Sequence, residues 1–232
     1  MLRSEQTHLI AAFDHRDIFI DPNPDAASSF VERQRLFDLP RSSWQDYDKS
    51  KLSKGGAIIS RAQKSVTLSS EAAAAIGIGK TIATPVEIMR AILAAPVDLL
   101  WFGGIGTYLK ASSETNQDAG DRANNAVRIN AAEVRAKVIG EGANLGVTQR
   151  ARIEFGLKGG CNNSDAIDNS GGVNCSDVEV NIKIALAAAM RKGALARPAR
   201  NKLLAEMTNE VGDLVLANNY EQTLALSLAS KR

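Results

Sequence analysis

The 232-residue chain has only two cysteines, Cys161 and Cys175, and two histidines, His8 and His15. A structural zinc site wants four soft ligands in close spacing, so this composition excludes one. The cysteines have neither a C-x-x-C spacing nor a neighbouring histidine cluster and read as small apolar residues; a reducing, cytoplasmic setting is the expectation. Neither histidine stands beside a marked serine or cysteine nucleophile. Aromatic residues are 5% of the chain and Lys/Arg form no block, the formal net charge being +2. Nucleic-acid binding, which needs a concentrated basic face, is not expected. The run Leu9–Phe13 is too short for a signal peptide or a membrane span, so no membrane partner is expected.

Hydrophobic residues make up 44% of the chain, enough for one sizeable core with a helical appendage. Leu9–Phe13 reads as a fully buried strand, ended by Asp14, His15 and Arg16. The turn-rich Asp21-Pro22-Asn23-Pro24-Asp25 precedes a helix from about Pro24 to Phe37, with Phe30, Arg33 and Phe37 on related faces. Residues 41–65 read as an ordered loop with one short strand at Ala57–Ser60. Ser69 or Ser70 caps an alanine-rich helix ending near Gly77. Thr84-Pro85-Val86-Glu87 combines an N-cap, a proline at the first helical position and a glutamate at the third, with Ile88, Ile92 and Ala95 facing inward.

Val97–Phe102 reads as a second buried strand running into Gly103-Gly104-Ile105-Gly106, and Val134–Gly140 as a third running into Glu141-Gly142-Ala143-Asn144. Thr148 caps a helix reaching Gly159-Gly160, and a short extended segment leads to Asp168-Asn169-Ser170-Gly171-Gly172-Val173. Val178, Ile182, Ala185 and Ala189 then form one apolar stripe, with Asp177 and Glu179 at its positive end. Leu204, Met207, Val211 and Leu214 form the next, and Tyr220, Leu224 and Leu228 another. The alternation implies an α/β fold: an incomplete doubly wound, Rossmann-type, mainly parallel sheet over residues 1–192, followed by a helical segment over residues 193–232.

In such sheets ligands bind beyond the carboxyl ends of the strands. Four candidate ends carry small or polar residues: Asp14; Gly103 and Gly104; Gly142 and Asn144; Asn169, Gly171 and Gly172. Glycine lets a ring or phosphate approach the backbone, an asparagine can meet both edges of a carboxamide, and an acidic residue can take ribose hydroxyls. Together they read as one nucleotide crevice. The competing reading of Asp14 is the start of a turn. In Gly103-Gly104-Ile105-Gly106 the third glycine of G-x-G-x-x-G is replaced by Leu109, which favours a tight strand-to-helix turn over a phosphate loop.

The segments Ala12–Pro22, Val97–Tyr108, Gly140–Gly146 and Asp165–Val173, followed by Cys175-Ser176-Asp177 and Glu179-Val180-Asn181, resemble the large NAD-specific glutamate dehydrogenases of bacteria across nearly the whole chain. The resemblance implies NAD as cofactor and oxidative deamination of L-glutamate to 2-oxoglutarate and ammonia. It implies Asp14 near the adenine ribose, Asn144 on the nicotinamide side, Asn169 at the carboxamide and Ser176 at the side-chain carboxylate of glutamate. The family's glycine-rich phosphate loop and its catalytic lysine and aspartate have no match here. The expectation is therefore an internal piece of a longer polypeptide, Met1 being an internal methionine, that lacks its upstream part, is inactive alone and belongs to a homo-oligomer. The alternative is a non-catalytic module that binds nucleotide weakly or associates with other subunits.

Overall fold

The computed structural model describes residues 4–231, so Met1 lies outside the described residues. The chain forms two compact units. The first runs through Leu100 and adds Gly106–Ile139 and Gly146–Asn162; the second comprises Trp101–Ile105, Gly140–Leu145 and the chain from Asn163 onward.

The first unit opens with an antiparallel sheet of β1 (Ala11–Phe13), β2 (Asp17–Ile20) and, beyond α1 (Ala26–Asp38), β3 (Ala57–Ser60), with β2 in the middle. All four residues of β2 are buried, whereas β1 is a half-buried edge. The fully buried strand expected at Leu9–Phe13 is thus displaced to the next segment, and it is antiparallel. Covered on both faces, β2 carries the contiguous Ile18-Phe19-Ile20. Phe19 packs against Trp44 and Tyr47 at ring-centroid separations of 4.7 and 5.0 Å. Asp25 caps α1 by accepting from Ser28 N at 2.8 Å. The buried face of that helix is largely polar: Arg33 Nε donates to Ser29 O at 3.1 Å, while Phe37 is 65% exposed.

β4 (Val66–Thr67) and β5 (Ile82–Ala83) form an antiparallel pair flanking α2 (Ser70–Ile76). Ser69 caps α2 through Ala72 N, and Gly77 closes it in the left-handed region at φ +67°, where a side chain would be strained. Thr84 and Glu87 form a complete capping box on α3 (Pro85–Leu93), and Ile88, Ile92 and Ala95 are buried as expected.

β6 (Leu99–Phe102) alternates, Leu100 and Phe102 inward, Leu99 and Trp101 about 40% exposed, so it is one-faced rather than buried throughout. The glycine-rich segment after it leads into β7 (Leu109–Lys110), not a helix, which corrects the strand-to-helix expectation. β7 pairs in parallel with β8 (Ile129–Asn130). β9 (Val138–Glu141) lies between β6 and β10 (Cys161–Asn162), pairing in parallel with β10; Thr148 caps the intervening α4 (Gln149–Leu157). The result is a mixed α/β structure with parallel elements, its described strands falling into four small sheets.

The second unit is mainly helical: α5 (Asp165–Asp168), α6 (Ser170–Arg191), α7 (Arg197–Glu206) and α8 (Thr208–Ala229), with α6 packed on α8. Two expectations change. First, Asn169, Gly171 and Gly172 sit at the start of α6 rather than at a strand end, so Asp177 is well inside that helix. Second, the inward stripes are Val178, Ile182, Leu186 and Ala189 on α6 and Val211, Val215, Asn219 and Gln222 on α8. Ala185, Leu214, Tyr220, Leu224 and Leu228 are exposed. Asn219 fixes that register by donating to Ser170 Oγ, a hydroxyl with no exposed surface. Among the described residues, no helix is long and apolar enough to cross a membrane.

Candidate functional site

Within the second unit, the ends of β6 and β9 and the start of α6 supply eight of the nine residues singled out by sequence. The segment after β9 is held by two aspartates of α5. Asp168 Oδ2 accepts from Glu141 N at 3.0 Å, and its Oδ1 accepts from Asn163 Nδ2 at 3.0 Å. Asp165 Oδ2 accepts from Leu145 N at 2.9 Å. Leu145 has φ +59°, a conformation uncommon for a branched side chain, and the Asp165 bond helps hold it there. Glu141 itself has no exposed surface.

Gly142 is set by a neighbour. A Cβ added there would lie 2.3 Å from Trp101 Cζ2, so the indole rests directly on the glycine backbone. Gly103 and Gly104 are exposed on the loop after β6, with nothing within 4 Å of a Cβ built on Gly104.

The central contact joins two predicted residues. Asn169 Nδ2 donates to Asn144 Oδ1 at 2.9 Å. This leaves Asn144 Nδ2 as a donor and Asn169 Oδ1 as an acceptor, neither bonded to a described residue. A primary carboxamide presents the complementary pair, an acceptor oxygen and a donor nitrogen, so the two asparagines fit such a group. Gly172 keeps the arrangement open: a Cβ there would be 2.8 Å from Asn169 Oδ1. Gly171 has free space around it. Ser176 is exposed on α6, and its hydroxyl makes no hydrogen bond to a described residue.

Asp14 belongs to the first unit, in the β1–β2 turn. Its Oδ1 accepts from Arg16 N at 2.7 Å and Asp17 N at 2.8 Å, and its carbonyl accepts from Arg61 Nη1 at 2.5 Å. The turn reading of Asp14 is therefore realised, with Oδ2 left unbonded.

Sequence reasoning missed Trp101, Asp165 and Asp168 as site-forming residues. Asp168 stood inside the quoted motif, but its partner lies 27 positions away, which periodicity does not reveal. Among the described residues, no group of three or more His, Cys, Asp or Glu could hold a metal ion.

Glycine-lined strand ends and an asparagine pair whose open edge complements a carboxamide thus lie in a mixed α/β chain. The chain belongs to the family described as bacterial NAD-glutamate dehydrogenase, catalytic domain, whose profile matches residues 1–229. It is 59% identical over 232 residues to the NAD-specific glutamate dehydrogenase of Pseudomonas aeruginosa, covering 100% of this chain and 14% of that protein. The protein of the same name from Mycobacterium tuberculosis is 57% identical over 228 residues, 96% of this chain and 14% of its own length. That from Halomonas elongata is 53% identical over 229 residues, with shares of 99% and 14%. The resemblance read from the motifs is borne out, and the chain spans about 14% of the length of the curated relatives it matches.

Proposed function

We propose that this chain supplies the NAD-contacting part of a glutamate dehydrogenase that oxidatively deaminates L-glutamate to 2-oxoglutarate and ammonia. The observation that carries the reading is the Asn144–Asn169 hydrogen bond, which leaves one donor and one acceptor for the nicotinamide carboxamide. When bound, NAD supplies the hydride acceptor for the substrate's α-carbon. The protein's part is to hold and orient: Asn144 and Asn169 take the carboxamide, and Gly142, Gly171 and Gly172 keep the backbone low beside it. Gly103 and Gly104 do the same after β6. Asp14 Oδ2 takes the adenine-ribose hydroxyls, which favours NAD over a 2′-phosphorylated cofactor. Ser176 holds the side-chain carboxylate of the substrate.

Within this reading, residues 1–192 form a Rossmann-type dinucleotide-binding region and residues 193–232 a helical segment, in a cytoplasmic homo-oligomer. No lysine or aspartate of these 232 residues is assigned to proton transfer, a contribution worth roughly 10²–10⁴-fold in rate, so binding without turnover is the expected behaviour of the chain alone. Calorimetric titration of the 232-residue chain with NAD and NADP tests the proposal. NAD should bind and NADP should bind more weakly; a chain inert toward NAD at millimolar concentration would overturn it.

A further inference from the structure

Within the second unit, α6 and α7 bound a cavity of about 370 Å³, the size of a small-molecule site. Lys183, Ala187, Met190 and Arg191 of α6 line it together with Arg197 and Arg200 of α7. Four of these six residues are cations and none is an anion. Ala187 and Met190 are half-buried and supply its apolar surface. One cation is neutralised close by, since Lys183 Nζ donates to Glu179 Oε1 one turn back along α6. Arg200 Nη1 donates to Asn201 Oδ1 at 3.0 Å, an uncharged acceptor. Arg191 and Arg197 make no hydrogen bond or ion pair with a described residue. Three guanidinium groups thus line one concavity without a counter-charge among the described residues, and such a wall focuses its field on whatever enters.

Helix electrostatics account for one of the three. Arg191 stands in the last turn of α6, where carbonyl groups of partial negative charge favour a cation. Arg197, at the first position of α7, stands at the positive end of its helix, with no acidic residue in that turn. A cation there is unfavourable in the free chain and becomes favourable once an anion joins it.

We propose that this cavity binds a small polyanion, a ligand carrying three or more negative charges on phosphoryl or carboxylate oxygens, held by Arg191, Arg197 and Arg200. The planar fork of a guanidinium matches either kind of oxyanion bidentately. A lone carboxylate leaves the other guanidinium groups unmet, so the site selects for the number of charges. It is a second site on α6. Lys183 to Arg191 lie roughly 20–30 Å along the helix from Ser170, which follows the Asn144–Asn169 pair.

Calorimetric titration of the 232-residue chain at fixed ionic strength with tripolyphosphate, propane-1,2,3-tricarboxylate and acetate is the test. One equivalent of tripolyphosphate or of the tricarboxylate should bind at least about 100-fold more tightly than acetate. The tighter of the two identifies the ligand's oxyanion as phosphoryl or carboxylate. Arg191→Gln and Arg197→Gln should each weaken that binding about ten-fold. Both side chains belong to exposed residues without partners, so folding should be unchanged. Lys202→Gln removes the same charge from α7 outside the cavity and should stay within about two-fold. Failure of both polyanions to bind at millimolar concentration overturns the proposal. Binding that survives Arg191→Gln and Arg197→Gln unchanged also overturns it, by placing the anion elsewhere, the dinucleotide region included. So does a loss in Lys202→Gln as large as that in Arg197→Gln, which would reduce the effect to general attraction.

Discussion

The indole of Trp101 lies on the backbone of Gly142, joining the end of β6 to the end of β9 through a contact that no side chain at position 142 could share. A methyl group there would stand 2.3 Å from Cζ2 and 2.8 Å from Cε2. Because Trp101 is 40% exposed, the ring can yield by swinging outward, but it then loses its packing surface.

Gly142→Ala should therefore displace Trp101 and destabilise the fold by about 1–3 kcal/mol, the usual cost of an overpacked contact. The chain has two tryptophans, so Trp44→Phe makes Trp101 the sole reporter. In that background Gly142→Ala should red-shift the emission and lower the urea midpoint. Unchanged emission and midpoint would mean that the ring does not rest on the glycine.

Arg128 gives a second prediction, in the first unit. Its side chain has no exposed surface. It donates to Thr107 O at 2.8 Å, Asn116 Oδ1 at 3.0 Å, Asn125 Oδ1 at 2.6 Å and the Asp121 carbonyl. Burial pulls the guanidinium below its usual range and the Asp121 carboxylate opposes that, leaving it protonated at neutral pH. Arg128→Met strands these acceptors together, and a loss of about 3–5 kcal/mol is expected by chemical denaturation. Arg128→Lys keeps the charge without the planar fork and should recover only part. A loss below about 1 kcal/mol for the methionine variant would count against this network as the clamp on the Thr107–Arg128 loop.

These two clusters show what sequence does and does not reveal. The helices α2, α3 and α4 were legible because their start signals are local: Ser69, Thr84 and Thr148 each accept from a backbone N–H three residues on. Gly142, Asn144 and Asn169 stood out in the sequence because glycine and asparagine at an element's end are unusual, and the structure joins Asn144 to Asn169 and sets Trp101 on Gly142. Trp101, Asp165 and Asp168 were not, since the first acts by resting on a glycine 41 positions on and the others by bonding backbone groups 20 and 27 positions away. The start of α6 was misplaced for a related reason. Gly171-Gly172 disfavours a helix locally by ~1 kcal/mol per residue, but the contact with α8 and the Asn219–Ser170 bond hold the segment helical. Similarly, Tyr220, Leu224 and Leu228 form a helical stripe in sequence yet face outward, because α6 meets α8 on the side of Val215.

Acid should release the start of α3 in a defined window. Glu87 is held down to about 2 from a model-peptide value of 4.5, first by the Lys80 ammonium at 2.6 Å, then by the N–H and hydroxyl of Thr84. Its folded-state value lies below its unfolded one, so its contribution is present in full above about 4.5 and disappears as the pH falls toward 2. The Glu87 side-chain carboxyl resonance should titrate near 2, and Glu87→Gln should flatten the stability–pH curve between those limits. A midpoint near 4.5 would show that the Lys80 and Thr84 contacts do not persist in solution.

Asn144 separates a structural role from a binding one. Its bond from Asn169 is exposed to solvent, so Asn144→Ala should change folding stability by no more than about 0.5 kcal/mol. The same change removes the donor proposed for the carboxamide oxygen and frees Asn169 to turn away, so NAD binding should weaken by ~1–3 kcal/mol, roughly 5- to 150-fold in Kd. Asn144→Asp makes the comparison sharper. It preserves shape and can still accept from Asn169, but it replaces the free donor with an acceptor aimed at the same oxygen, and should bind NAD no better than the alanine variant. Calorimetry on the three chains, with urea denaturation run in parallel, reads both roles. If the aspartate variant binds NAD as tightly as the unaltered chain, Asn144 does not donate to the carboxamide. The pair with Asn169 would then be a local brace between α6 and the loop after β9.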